Sequence, residues 1–409
     1  MRKAVMLSLD AMDEHDLAHF GEGRALRRLM DESAVCTQVK TVFPALTYPA
    51  HTTLVTGCDP ALHGVGHNQP LQPDTPSDMR AWYWDAADVK RETLFDAVHG
   101  AGGRCCSVLW PVSGRNPAVR WLFPEVLALP GENQVLKMLR YGSPLWLLEM
   151  EARYGRIRRG ASEPYLSDYA AAIVSDAVRR HRPDLTCAHL VDLDETRHRF
   201  GTDSQEAAAA LDRHEKRVTQ VLDAMQGTRG MEDALLILVS DHGQADVSRT
   251  VALEDTLRML GAQGVTVQSS GMSAYLFGDA DALARAARCL SAHAREAGVQ
   301  RVYTRAELDA MGCVPQPGLA VEAAPGVVFA DRLHKEKRER ATHGFGPGHS
   351  AENCLFAVYG RGVRRGARLD SMPMRDVAPT VAALMGVPLS GAQGRDHSAE
   401  ILRGDAQCF

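Results

Sequence analysis

Five consecutive apolar residues, Leu235-Leu236-Ile237-Leu238-Val239, show no polar alternation, the pattern of a strand covered on both faces. Similar short runs recur at residues 3–9, 35–39, 104–109, 186–191 and 354–359, with helical patterns between them at 92–101, 165–180, 204–225 and 374–385. Such alternation predicts an α/β fold: a mainly parallel central sheet with helices on both faces. Two stretches break the rhythm. Residues 112–160 hold Pro, Trp and an amphipathic segment over 133–154, which predicts a helical excursion from the sheet. Residues 256–340 read as a strand (265–277), an Ala/Arg-rich helix (279–297) and two further strands (299–303 and 321–329). This order predicts a smaller inserted α+β cap over 256–340, with 1–255 and 341–409 forming the core. The mixed-sign block 334–340 reads as a solvated surface loop.

Charge narrows the function classes. Lys and Arg number 46 against 51 Asp and Glu, a net of −5, without the basic excess that binding a nucleic acid polymer requires. The apolar N-terminal run is cut off by Asp10, Asp13 and Glu14, so it reads as a first strand and not as a signal peptide. No stretch reaches the ~18 uninterrupted apolar residues of a membrane span, and the expectation is a soluble, cytoplasmic protein. Nine Cys without a C-x-x-C pair suit neither a disulfide framework nor a structural zinc site. Reduced, largely buried thiols are expected.

Ligands of open α/β sheets gather beyond the carboxyl ends of the strands. Asp10 follows the first strand; Asp192, Asp194 and His198 follow 186–191; Ser240, Asp241, His242 and Gly243 follow 235–239. Carboxylates and imidazoles on one edge outline a divalent-metal site, and Asp oxygen with His nitrogen suits zinc. Asp10 alone reads equally as a turn or helix-capping residue. Asp194 and His198, four apart, are a common pair on solvated helices as well as a grip for one ion. Asp241-His242-Gly243, ending a wholly apolar strand, is the stronger signal. A further motif runs Val42-Phe43-Pro44-Ala45-Leu46-Thr47-Tyr48-Pro49-Ala50-His51-Thr52-Thr53-Leu54-Val55-Thr56-Gly57, followed by Leu62-His63-Gly64-Val65-Gly66-His67-Asn68. It presents the Thr47 hydroxyl at a helix N-terminus, where backbone N–H groups favour an anion.

The motifs F-P-x-L-T-[FY]-P-x-H-x-x-x-V-T-G, H-G-x-x-x-N, D-x-x-x-H, D-H-G and a late H-G-[FY] occur here in order, from residue 10 to the region of 343. In this the chain resembles the alkaline phosphatase superfamily and, within it, the nucleotide pyrophosphatase/phosphodiesterase family. The resemblance implies a hydrolase of phosphodiester or phosphoanhydride bonds in small nucleotide-like substrates, acting through a covalent phosphothreonine on Thr47. It implies two divalent metal ions, zinc first, with Mn or Fe as alternatives. Asp194, His198 and His343 would hold one ion; Asp10, Asp241 and His242 would hold the other, with the Thr47 oxygen between them. Asn68 would donate to a phosphoryl oxygen. Thr342-His343-Gly344-Phe345 matches the family motif, whereas Gly348-His349-Ser350 sits at a spacing more like that of the phosphatase branch. His51, His63, His67, His189 and Asp192 match no ligand position and read as hydrogen-bonded supports.

Alternatives within the superfamily are a phosphonoacetate-hydrolase-like C–P hydrolase and a phosphomonoesterase; a pseudoenzyme would be expected to lack one of these residues. No Arg or Lys lies between Thr41 and Gln69, which favours the single charge of a diester over a monoester dianion. Only a cation from elsewhere, such as Arg301, Arg305 or Lys335, would alter that balance. Tyr48, Trp82, Tyr83, Trp84 and Trp110 read either as a surface for a base or as ordinary core.

Overall fold

The first strand, β1 (Ala4–Leu9), is buried at every position, and its alternate side chains supply two separate cores. The computed structural model, which describes residues 1–330 and 339–403, puts β1 inside an eight-stranded sheet. The others are β2 (Ala34–Lys40), β3 (Cys105–Val108), β4 (Val119–Phe123), β5 (Leu185–Leu190), β6 (Leu235–Val239), Asn353–Tyr359 and Met372–Pro373. From one edge the order is Met372–Pro373, β2, Asn353–Tyr359, β6, β1, β5, β3, β4. Asn353–Tyr359 runs antiparallel to both neighbours and every other pair is parallel.

Val5, Leu7 and Leu9 pack on one face with Ile173, Val174, Leu211 and Val218 from helices Tyr165–Arg180 and Gln205–Gln226. Ala4 and Met6 pack on the other with Leu54, Val55, Phe95, Val98, Val377 and Val381 from helices Thr47–Thr56, Leu94–Gly100 and Val377–Met385. Two covered faces explain the unbroken apolar run of β6, each large side chain contributing ~1.5–3 kcal/mol by burial. The architecture is the expected alkaline-phosphatase-like α/β sheet.

The structure departs from the pattern reading in detail. β4 lies inside the stretch read as an excursion; it is an edge strand, and Arg120 points to solvent from it. The amphipathic segment splits into Gln134–Tyr141 and Pro144–Tyr154 at Gly142. In the insert, the long strand reading 265–277 is a hairpin, Thr266–Ser269 and Ser273–Phe277, turning at Gly271 with φ +76°. The reading 321–329 divides at Pro325-Gly326 into Leu319–Ala323 and Val327–Ala330, a Pro-Gly turn that the apolar run concealed. Val299–Thr304, Leu319–Ala323, Ser273–Phe277 and Thr266–Ser269 form an antiparallel sheet, while Val327–Ala330 pairs in parallel with Arg249–Ala252. Residues 331–338 of the insert, including Lys335 and most of the mixed-sign block, lie outside the described residues.

The described cysteines are all free, and all but Cys289 are buried. No helix among the described residues is long and apolar enough to cross a membrane.

Two buried histidines outside the sheet edge set an acid limit on stability. Burial pushes His63 and His214 down to about 3, Arg217 adding to the effect at His214. Neither ring nitrogen of His214 has a hydrogen-bond partner. The unfolded chain takes up these protons near the ordinary histidine value of ~6.5, so between ~6.5 and ~3 it binds more protons than the folded chain. Stability is therefore full at neutral pH and is lost as pH falls through that window. Thermal melts from ~pH 7 to ~pH 4.5 should show a falling Tm, with a shallower slope in His214→Leu; equal slopes would contradict this account.

Candidate active site

Because β6, β1 and β5 are adjacent and parallel, the residues after their last positions meet at one edge. Asp10 follows β1, and the chain then turns through Ala11, whose φ is +61°. That turn is held by the Ala11 N–H donating to Asp241 Oδ1 and by the Arg197 guanidinium donating to the Ala11 carbonyl. After β5 the helix Asp192–Phe200 begins, with acidic residues in its first turn and basic ones in its last, as the helix dipole favours. Asp192, at its start, is fully buried and is gripped by Arg213 (2.6 and 2.8 Å) and Arg217 (2.6 Å). It anchors the helix that projects Asp194 and His198 one turn apart. After β6, Asp241 and His242 are both completely buried.

The three histidines converge in the same way. Each uses Nδ1 on a backbone carbonyl: His198 on Ala341 (2.9 Å), His343 on Ala45 (2.9 Å) and His242 on Gly243 (3.2 Å). Each therefore leaves its Nε2 lone pair facing inward, the orientation of a metal-binding imidazole. His198 Nε2 lies 3.4 Å from Asp194 Oδ2, and His343 Nε2 lies 3.9 Å from Asp194 Oδ1. His242 Nε2 lies 3.1 Å from Asp241 Oδ2, 3.7 Å from Asp10 Oδ1 and 3.2 Å from Thr47 Oγ1. Among the described residues, two donor groups are spaced to hold a cation: Asp194, His198 and His343; and Asp10, Asp194 and His242. Asp241 Oδ2 flanks the second, and Asp194 belongs to both.

The electrostatics fit divalent cations. Asp10 Oδ1 and Asp241 Oδ2 are buried without any hydrogen-bond partner among the described residues, a costly state for a carboxylate unless a positive charge compensates it. Burial, with repulsion from Asp194, raises Asp10 to about 6 even though His189 opposes the shift. Burial and the neighbouring Asp10 push Asp241 well above the carboxylate range. Burial would also raise Asp194, but His198 and His343 hold it below its ordinary value. Burial lowers His242 and His343, favouring the neutral imidazole that binds metal.

Thr47 opens the helix Thr47–Thr56, every residue of which is buried. The helix ends at Gly57 with φ +66°, where a Cβ would stand 2.8 Å from Pro379 Cδ; glycine is required by conformation and by space. Asn68 Oδ1 accepts from the Tyr48 N–H at 3.0 Å, which fixes the amide plane beside Thr47 and leaves Nδ2 as the spare donor. One turn along, His51 donates from Nδ1 to the Thr47 carbonyl and accepts from Ser8 Oγ, both at 2.8 Å. Trp110, against His51, and Trp84 are buried. Trp82 packs edge-on to Tyr48 at 5.2 Å and remains partly exposed.

The insert docks directly on the segment bearing His343. The Met272 N–H donates to the His343 carbonyl at 2.8 Å. A Cβ on Gly344, whose φ is +89°, would stand 1.6 Å from the Ser270 carbonyl oxygen. Glu322 accepts from the Gly346 N–H at 3.0 Å and from Tyr303 Oη at 2.6 Å. His349 stacks on Phe345 at 4.3 Å and belongs to neither donor group, so His343 is the histidine that the fold brings to the cluster. All eight residues singled out from the sequence therefore lie at this edge. Gln244, directly after Asp241-His242-Gly243, also touches the cluster through Asp194, and its adjacency to that motif was a legible signal. Glu125, which reaches the cluster through His189, carried none.

A family model described as type I phosphodiesterase / nucleotide pyrophosphatase matches residues 4–345. The chain belongs to this family. The matched relatives of this phosphodiesterase-family chain include human ectonucleotide pyrophosphatase/phosphodiesterase family member 1, 22% identical over 50% of this chain and 19% of the relative. Another is the bis(5'-adenosyl)-triphosphatase enpp4 of Xenopus laevis, 24% identical over 62% of this chain and 50% of the relative. The chain thus spans half or less of the length of these curated relatives. Among solved structures, murine ectonucleotide pyrophosphatase/phosphodiesterase 5 superposes with a TM-score of 0.71 at 17% identity, covering 96% of this chain and 97% of that one. An inactive variant of the same murine protein in complex with AMP gives 0.69. These likenesses show a shared fold.

Proposed function

We propose that this protein is a two-metal hydrolase that cleaves phosphodiester or phosphoanhydride bonds of small nucleotide-like molecules through a phosphothreonine on Thr47. The observation that carries the reading is the Thr47 hydroxyl at a buried helix start, 3.2 Å from His242 Nε2, with that imidazole facing two buried carboxylate oxygens that have no hydrogen-bond partner among the described residues. Asp194, His198 and His343 would hold one cation; Asp10, Asp241 and His242, with Thr47, would hold the other, and Asp194 also stands within reach of the second. Bound there, the cations supply the Lewis acidity that makes a threonine alkoxide accessible near neutral pH and offset the charge of the leaving oxygen.

The chain's own groups do the remainder. Thr47 Oγ1 attacks phosphorus as the bond to the leaving oxygen breaks, and water then attacks the phosphothreonine to release the product and restore the hydroxyl. Asn68 Nδ2 donates to a non-bridging phosphoryl oxygen, with its orientation set by the Tyr48 N–H. Residues 1–255 and 341–409 form the catalytic core in this reading. The cap, 256–340, steadies His343 from outside.

Diesters are expected to be preferred over monoesters. Arg301 is occupied by Glu307 and lies over the Tyr303 ring, and Arg305 is bound to Asp309 and to the carbonyls of Val314 and Pro317. The extra cation that a monoester dianion calls for is thus absent from those two candidates. The test is steady-state kinetics of zinc-loaded protein on matched aryl diester and monoester, a dinucleoside polyphosphate and phosphonoacetate. A higher kcat/KM for the diester or the dinucleoside supports the reading. A higher value for the monoester or the phosphonate would replace it with the corresponding alternative.

A further inference from the structure

Behind Asp10 lies a second pair of polar groups that the proposed chemistry does not use. His189, near the end of β5, is 1% exposed and sits with Nε2 2.8 Å from Asp10 Oδ2 and Nδ1 2.7 Å from Glu125 Oε2. Both acceptors are carboxylate oxygens, so both ring nitrogens donate. The ring is packed against that of His51, centroids 4.3 Å apart, and His51 is itself held by Thr47 and Ser8. His189 consequently has little freedom to turn. Glu125 arrives from the periphery: it follows the edge strand β4, and its side chain is 23% exposed.

The two oxygens of Asp10 are treated differently. Oδ2 is taken up by His189, whereas Oδ1, also buried, has no hydrogen-bond partner among the described residues and stands 3.7 Å from His242 Nε2. A hydrogen-bond network serving the fold alone would satisfy both oxygens. It would also avoid burying a histidine with both ring nitrogens on carboxylates, since a charge taken from water carries a desolvation cost.

We propose that Glu125 and His189 are positioning residues that orient the Asp10 carboxylate, holding Oδ2 back so that Oδ1 faces the cation beside His242, Asp241 and Thr47. The inference rests on the two-metal reading above. Glu125 fixes the imidazole, the imidazole fixes the carboxylate, and the edge strand is thereby coupled to one of the two metal groups. Among the described residues, His198 and His343 make no hydrogen bond to Glu125, His189 or Asp10 and take backbone carbonyls instead.

The test is zinc affinity, measured on metal-free protein by competition with a chromophoric chelator, in a His343→Ala background that leaves the Asp10 group as the tighter site. Glu125 is partly exposed, but it also stands against the hydroxyl of the buried Tyr48, so its replacement is read beside the glutamine control. Glu125→Ala should weaken zinc binding ~10–100-fold, the usual cost of removing a hydrogen-bond support behind a ligand, with the Tm of the metal-free protein little changed. Glu125→Gln, which keeps an acceptor oxygen for the His189 Nδ1–H, should recover most of the affinity. Unchanged affinity in Glu125→Ala, or a Gln variant as weak as the Ala variant with a lowered Tm, overturns the positioning role alone. A wild-type protein that takes up no zinc overturns the two-metal reading together with it.

Discussion

Thr47→Ala should fold, retain zinc through the remaining carboxylate and imidazole ligands and lose turnover of an aryl diester by on the order of 10³-fold or more. The size of the effect follows from the absence of a substitute. Thr52, Thr53 and Thr56 lie further along the same helix, but their hydroxyls are bonded to the Tyr48 carbonyl, to His63 and to the Thr52 carbonyl. Thr47 Oγ1 alone among them faces His242. Replacing it leaves the Asn68–Tyr48 contact and the start of the helix intact, so substrate should still bind and the KM should move much less than kcat. Thr47→Ser retains the hydroxyl and should keep part of the activity. The decisive measurement is single-turnover kinetics with acid quench: the wild type should accumulate label on the protein and Thr47→Ala should not. A rate near the wild type's in the alanine variant would end the covalent mechanism.

Removing metal should abolish activity, and here Asp194 matters more than any single histidine. Elemental analysis of active protein should give about two divalent ions per chain, and dialysis against a chelator should eliminate turnover until metal is restored. Asp194 belongs to both donor groups, so Asp194→Asn should lower both occupancies, whereas His343→Ala should lower chiefly one. Zinc should also stabilise the fold, by about 4 kcal/mol per site at ~1,000 times its Kd, because it compensates carboxylate oxygens that otherwise lie buried and unpaired. Asp192→Asn is expected to behave differently. Asp192 is bound to Arg213 and Arg217 and to no member of the donor groups, so its loss should lower the Tm by leaving the buried Arg217 with the exposed Asp168 as its remaining ion pair. An active protein free of metal, or equal loss of metal from the Asp192 and Asp194 variants, would contradict this assignment.

The sequence by itself determined the layered sheet and the composition of the site. Strands buried on both faces must be written as unbroken apolar runs, and parallel strands place their ends on one edge, so Asp10, Asp194, Asp241 and His242 were legible as neighbours before any coordinate. Thr47 and Asn68 were legible from a helix start and from their motif, and His343 only through that motif, since a lone His-Gly-Phe has no periodicity to read. What the sequence concealed depends on distance in three dimensions. β4 is a five-residue edge strand interrupted by the exposed Arg120, which weakens its pattern. The breaks at Gly142 and at Pro325-Gly326 interrupt stretches whose apolar content reads as continuous. Which nitrogen of each histidine faces inward is set by carbonyls of residues as far away as Ala45 and Ala341. The Glu125–His189–Asp10 chain joins three segments with no shared spacing. The docking of Ser270–Met272 on His343 and Gly344 likewise requires two backbones to meet at a distance no side chain would allow. Local pattern reports burial and propensity, which act along the chain; hydrogen-bond partners and close approaches are fixed only when distant segments are packed together, and those decided how the site is held.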